Sequence, residues 1–137
     1  MALRTGLRSI VALASATSAN GVARNGATLA LSGVKPGSLL FEVQASVTTS
    51  SVLATFTVQA SMDASTWFDV YVPAVVSVAT PTGTGSAVTT RRAISLPSEA
   101  LSSFAFVRVN ATLSGAATAG ADVSQATYRF RRYGVED

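Results

Sequence analysis

The chain has 137 residues, enough for one domain with a real core, and contains neither Cys nor His. That composition excludes disulfides, thiolate chemistry and the usual zinc sites, and it removes the common activator of a hydroxyl nucleophile. Charged residues make up 12% and hydrophobic residues 48%, which argues against disorder and describes a surface that a partner can cover at little desolvation cost. A net charge of +3 is too small, without a basic stripe, to imply nucleic-acid binding. No apolar run approaches the roughly 18 residues of a membrane-spanning helix, so neither nucleic acid nor membrane is expected as a partner, and no cofactor is expected.

In chain order, residues 1–8 carry Arg4 and Arg8 and are predicted to form an N-terminal arm lying on a neighbour or along a sheet edge. These arginines, followed by Ile10 to Ala14 and Ala-x-Ala spacings, imitate a secretion signal, but the apolar part is too short and the segment is read as mature protein. Ser9 to Leu13 suggests a first short strand. Ser15 to Gly26 reads as loop, with Asn20-Gly21 and Asn25-Gly26 as turns. Ala27 to Leu31 is a second strand, closed by Ser32-Gly33 and Lys35-Pro36-Gly37.

Leu39 to Val47 alternates cleanly: Leu39, Phe41, Val43, Ala45 and Val47 share one face, with Glu42, Gln44 and Ser46 opposite. Its segment Phe41-Glu-Val-Gln-Ala-Ser46 nearly recurs as Phe56-Thr-Val-Gln-Ala-Ser61. Whether those two strands pair directly is open at this level. Ala54, Phe56, Val58 and Ala60 form the apolar face of the second of them, and Met62 to Thr66 supplies turn chemistry through Asp63 and its neighbours. A return strand begins at Trp67 and runs to Val72.

Val75 to Ala79 suggests another strand, Thr80 to Ser86 a flexible loop tip, and Ala87 to Leu96 an extended segment containing Arg91-Arg92. Pro97 to Ser103 is the one place where a short helical turn is expected. Phe104 to Leu113 places Val107, Val109, Ala111 and Leu113 on one side. After a small-residue loop from Ser114 to Asp122, Val123 to Tyr133 places Ala126, Tyr128 and Phe130 opposite Thr127, Arg129 and Arg131. The sum is an all-β chain, a single β-sandwich or jelly-roll-like domain of about eight strands over residues 1–137, with a short N-terminal arm and an acidic tail at 134–137.

Few residues invite a chemical reading. Asp63 and Asp69 could approach across their turn as paired carboxylates, but Asp63 is better read as capping the turn, with Asp69 on the solvent face. Gly83-Thr-Gly85 lacks the following helix that a phosphate-binding loop requires. Trp67 and Tyr71, with Phe68 and with Asp63 nearby, offer a sugar-stacking platform; against it stands the reading that alternate members fill the core, because aromatic side chains mostly bury. The arginines are the best candidates. Arg91, Arg92, Arg129, Arg131 and Arg132, with Arg4, Arg8 and Tyr133, are expected to form a protein-binding interface, since the planar guanidinium fork suits carboxylates and is enriched at hot spots.

Three segments, Phe56-Thr-Val-Gln-Ala-Ser61, Asp63-Ala-Ser-Thr-Trp67 and Phe106-Val-Arg-Val-Asn110, together resemble small β-sandwich structural proteins of tailed bacteriophages. In those, a strand ending in Gln-x-Ser leads into an Asp-x-Ser-x-Trp turn, and a later strand reads aromatic-Val-Arg-Val-Asn. Ala64 stands where Gly is commoner after the Asp. Discoidin-like carbohydrate-binding modules share a similar layout. The resemblance implies a non-enzymatic virion protein, a head decoration or cement protein that stabilises the assembled capsid. Its partners would be the major capsid protein and copies of itself, a trimer being favoured, and its location the capsid surface after host cytoplasm during assembly. A carbohydrate- or receptor-binding module of a phage tail or fibre, or a tail or neck component, is the alternative.

Overall fold

A computed structural model describes residues 7–16, 23–35, 37–47, 52–76, 88–95, 103–114 and 122–132. Among them nine strands form: β1 (Leu7–Ala16), β2 (Ala23–Asn25), β3 (Leu29–Ala30), β4 (Leu40–Val47), β5 (Leu53–Ser61), β6 (Phe68–Val76), β7 (Val88–Ser95), β8 (Phe106–Ser114) and β9 (Val123–Arg131). One sheet runs β1-β9-β4-β7, the other β2-β8-β5-β6, with β3 also on β8. Every pairing is antiparallel.

Strands β2 and β3 are one edge strand interrupted by a bulge. Asn25 lies opposite Asn110 and Leu29 opposite Val107, so the edge carries one residue more than its partner across 26–28. Counted that way, eight strands fill two four-stranded sheets in the order of a jelly roll. The all-β sandwich expected from periodicity is the fold observed.

The period-two pattern explains the packing. Phe41, Val43, Ala45 and Val47 of β4 and Ala54, Phe56, Val58 and Ala60 of β5 are all buried. The two near-identical segments do not pair: β4 lies inside one sheet and β5 inside the other, so each lines the core from its own side. Val107, Val109, Ala111 and Leu113 of β8 and Ala126, Tyr128 and Phe130 of β9 complete the inner layers. The Phe41 and Tyr128 rings meet edge-to-face at 5.5 Å between centroids, the arrangement their quadrupoles favour.

Several boundaries differ from the sequence expectation. β1 begins at Leu7 and takes Leu7 and Arg8 out of the expected arm. Asn25-Gly26 is not a hairpin turn: Asn25 ends β2, and the Gly26 N–H donates to Val109 O at 2.7 Å. Trp67 precedes its strand instead of opening it, and Val75 and Val76 belong to the same strand as Phe68. Pro73 does not end β6, because β6 is the outer strand of its sheet and Pro73 falls in the irregular register between the Phe56–Ala74 and Val58–Tyr71 pairs. Most of the expected arm (1–6), residues 48–51 between the two near-identical segments, the loop tip at 80–86, nearly all of the helical turn at 97–103, most of the 114–122 loop and the tail at 134–137 lie outside the described residues. Among the described residues no helix is long and apolar enough to cross a membrane.

Candidate interaction surface

Strand alternation turns Glu42, Gln44 and Ser46 of β4 outward from the four-stranded sheet. Register sets Gln44 between Arg91 of β7 and Gln125 of β9, and Glu42 between Ala93 and Thr127. Arg91 Nε donates to Gln44 Oε1 at 2.8 Å, and Ser46 Oγ lies 3.0 Å from Thr89 Oγ1. Arg129 Nε sits 2.9 Å from Glu42 Oε2 with both side chains 42% exposed. That contact is close enough for an ion pair but badly angled, so Arg129 Nε, itself buried, makes no hydrogen bond. At this exposure such a pair contributes about 1 kcal/mol or less. Glu42, Gln44, Arg91, Gln125, Thr127 and Arg129 line a shallow depression of about 460 Å³ on the sheet's outer face. Two guanidinium groups, amides and one already neutralised carboxylate suit it to binding carboxylates and carbonyl oxygens.

The arginines named from sequence do not form one patch. Arg91 and Arg129 both border the depression. Arg92 borders it too, but it lies opposite buried Val43, so its side chain leaves β7 on the other side of the sheet. Arg131 is exposed at the end of β9 opposite Leu7, and Arg8 is half-buried in β1 opposite Phe130. Arg132 lies over the Phe130 ring, 5.5 Å from its centroid. Arg4 and Tyr133 lie outside the described residues.

Of the aromatic platform, the surroundings of Trp67 and Phe68 are described. Trp67 is half-buried, and the Arg108 guanidinium lies 4.1 Å from its ring centroid. Arg108 Nε donates to Gln59 Oε1 at 2.9 Å, and Gln59 Nε2 donates to Asp69 Oδ1 at 2.9 Å. One face of the indole is therefore occupied by the protein's own cation. Phe68 does not fill the core either: it is 55% exposed and tilted against Phe104 at 6.3 Å. The core rings are Phe41, Phe56, Tyr128 and Phe130. Tyr71 lies in β6 opposite Val58.

Asp63 and Asp69 are held by separate networks. Asp63 Oδ1 accepts the Thr66 N–H at 2.8 Å, the Ser65 N–H at 2.9 Å and the Ser61 hydroxyl at 3.0 Å. The Thr66 N–H first, then that of Ser65 and the Ser61 hydroxyl, holds its carboxyl below the usual aspartate range. Asp63 caps the turn, as its position implied.

Two residues that sequence reasoning passed over tie the sheets together. Arg24 leaves β2 and reaches the opposite sheet, where Nη1 donates to Ala16 O at 2.9 Å, Ser124 O at 3.1 Å and Ser124 Oγ at 3.2 Å, and Nη2 donates to Ala14 O at 2.5 Å. Tyr128 crosses the other way: its hydroxyl accepts the Val109 N–H at 2.7 Å and donates to Ala27 O at 2.8 Å. Burial is the main cause that pushes its phenol up to about 12. Gly26 makes room for this, since a Cβ there would stand 2.6 Å from Val109 O and 3.1 Å from the Tyr128 hydroxyl. The sequence signal for both would have been a strand around Arg24, which the Asn-Gly pair concealed.

Fold and surface together define a two-sheet antiparallel jelly roll with a polar, arginine-bearing outer face. No family model matches the chain, and no curated protein does. Among solved structures it is similar to the VP2 subviral particle of infectious bursal disease virus, with a TM-score of 0.58 at 12% identity over 94% of this chain and 33% of that one. It is also similar to the structure of the Gx strain of that virus, with a TM-score of 0.54 at 13% identity over 94% of this chain and 32% of that one. The chain thus spans about a third of those chains. At such identities the likeness is one of fold. These neighbours come from infectious bursal disease virus and not from a tailed bacteriophage, so the phage resemblance rests on the sequence motifs.

Proposed function

We propose that this chain is a non-enzymatic structural protein of a virus particle. More specifically, it decorates and cements the outside of a tailed-phage capsid by binding the major capsid protein, acting as a homo-oligomer. The observation that carries this reading is the outer face of the β1-β9-β4-β7 sheet, where Arg91 and Arg129 sit among amides with a single acid beside them. The likeness of the fold to chains of virus particles supports it. Arginine forks bind carboxylates with charge-assisted hydrogen bonds. A protein that binds the assembled state and not the dissociated one stabilises it by mass action, and repetition over many sites makes modest individual affinities sufficient. A glycan-binding role loses support from Arg108, which already covers one face of Trp67.

The test is to add the protein to capsids that lack it and to measure their resistance to heat and chelators. Saturable binding with raised resistance is expected, and Arg91→Gln with Arg129→Gln should weaken binding while leaving the melting temperature near that of the parent. Absence of binding ends the cement reading; binding at saturation with unchanged resistance reduces the role to display.

A further inference from the structure

Strand β1 forms one end of its sheet, and its outer edge is treated differently along its two halves. The C-terminal half is closed by the opposite sheet: Ala12 O accepts the Ala27 N–H at 2.8 Å, and Ala14 O and Ala16 O accept the Arg24 guanidinium. The N-terminal half has no such cover among the described residues and carries Leu7, Ile10 and Val11, which are 54%, 38% and 65% exposed. Proteins usually blunt an edge of this kind with charge, proline or a covering segment. Here the protein spends an arginine on one half and presents apolar side chains on the other.

We infer that residues Leu7 to Val11 pair with the same stretch of a second copy of this chain, antiparallel across a two-fold axis at Ser9. The pattern is self-complementary. With Ser9 opposite Ser9 of the second copy, Leu7 faces Val11 and Val11 faces Leu7, so both exposed apolar side chains on the outer face gain a partner, and Arg8 faces Ile10 instead of another Arg8. Cross-strand apolar pairs of this kind stabilise a sheet, whereas like charges directly opposite destabilise it. The other end strand of the sheet, β7, offers a poorer match, because its Arg91 and Arg92 would be brought alongside Arg8. A two-fold interface that repeats one patch on both subunits is the commonest oligomeric arrangement. Leu7, Ser9 and Val11 lie opposite Arg131, Arg129 and Thr127, on the face that holds the depression. The pairing therefore joins two four-stranded sheets into one and sets two arginine–amide faces side by side. This inference rests on the homo-oligomer of the proposed function and names its contact; capsid binding is tested separately, so either can fail without the other.

The experiment is sedimentation velocity and light scattering on the full chain, with Val11→Arg and Ser9→Cys. The parent protein is expected as a dimer of the 14.0 kDa chain. Val11→Arg, at an exposed position, should raise the dissociation constant at least about tenfold by burying an unpaired charge at the interface, with an unchanged melting temperature for the monomer. The chain lacks cysteine, so Ser9→Cys should cross-link to a dimer on mild oxidation well ahead of Ser95→Cys on the β7 edge. A monomer at all concentrations, a trimer, a dimer insensitive to Val11→Arg, or equal cross-linking of the two cysteine variants would each overturn the inference.

Discussion

Ala64 holds φ at 61°, a left-handed conformation that costs a residue with a Cβ roughly 1–2 kcal/mol and costs glycine almost nothing. The structure keeps it there because Ser61 and Asp63 bind four turn N–H groups between them, those of Asp63, Ala64, Ser65 and Thr66. Ala64→Gly should therefore stabilise the protein by about 0.5–1 kcal/mol, net of the greater freedom of glycine in the unfolded chain, read from urea denaturation midpoints. Asp63 gives the turn a pH dependence. Its carboxyl titrates lower in the folded state than in the unfolded one, so its stabilisation is present above the ordinary aspartate pKa of about 3.9 and is lost as pH falls through the lower folded value. Denaturation curves across that acid range should show a steeper loss for the parent than for Asp63→Asn. Tyr128 has the opposite sign: with its phenol raised to about 12, its contribution is complete below about pH 10 and declines as pH rises toward the folded value. Ultraviolet titration should show one of the three tyrosines ionising late. Tyr128→Phe leaves the buried Val109 N–H without its partner and should cost about 1–3 kcal/mol. The Asp63 cap was legible in sequence because its partners lie within three positions. The Tyr128 bonds were not, because their partners lie 19 and 101 positions away.

At the scale of elements, the strands that announced themselves were β4, β5, β8 and β9, each buried on one face and polar on the other over eight or nine residues. The edge made by β2 and β3 gave no such signal, because it is short and its bulge shifts the alternation by one. Yet that edge holds Arg24, whose guanidinium stands in for a missing strand along β1. Replacing Arg24 with Met keeps much of the side chain and removes its hydrogen bonds to three carbonyls and the Ser124 hydroxyl. A loss of about 1.5–3 kcal/mol is expected by thermal or chemical denaturation, with a rise in aggregation as the whole β1 edge opens. Arg24→Lys should recover only part of this, since a single ammonium cannot reproduce the fork.

Across the whole molecule, few charges are used, and the ion pair between Glu42 and Arg129 is too exposed to matter much to stability. On the proposed function, the cationic face serves binding more than folding. Attachment to capsids should weaken steadily as salt is raised from low to physiological strength and beyond, because exposed charges are screened within about 8–10 Å under those conditions. The melting temperature of the isolated protein should hardly move over the same range. Binding that is indifferent to salt would count against the arginines as the docking element.

The amino-acid sequence by itself determined the all-β class, the inner face of β4, β5, β8 and β9, the cap at Asp63 and the absence of histidine- or thiol-based chemistry, because each depends on residue identity or on spacing within one strand. Only the tertiary structure decided that Arg91 and Arg129 share one depression while the Arg92 side chain leaves the sheet on the other side, that Arg108 occupies Trp67, and that Arg24 and Tyr128 bridge the sheets. Those facts depend on strand order and register, which are set by contacts between residues as far as a hundred positions apart and leave no local periodicity to read.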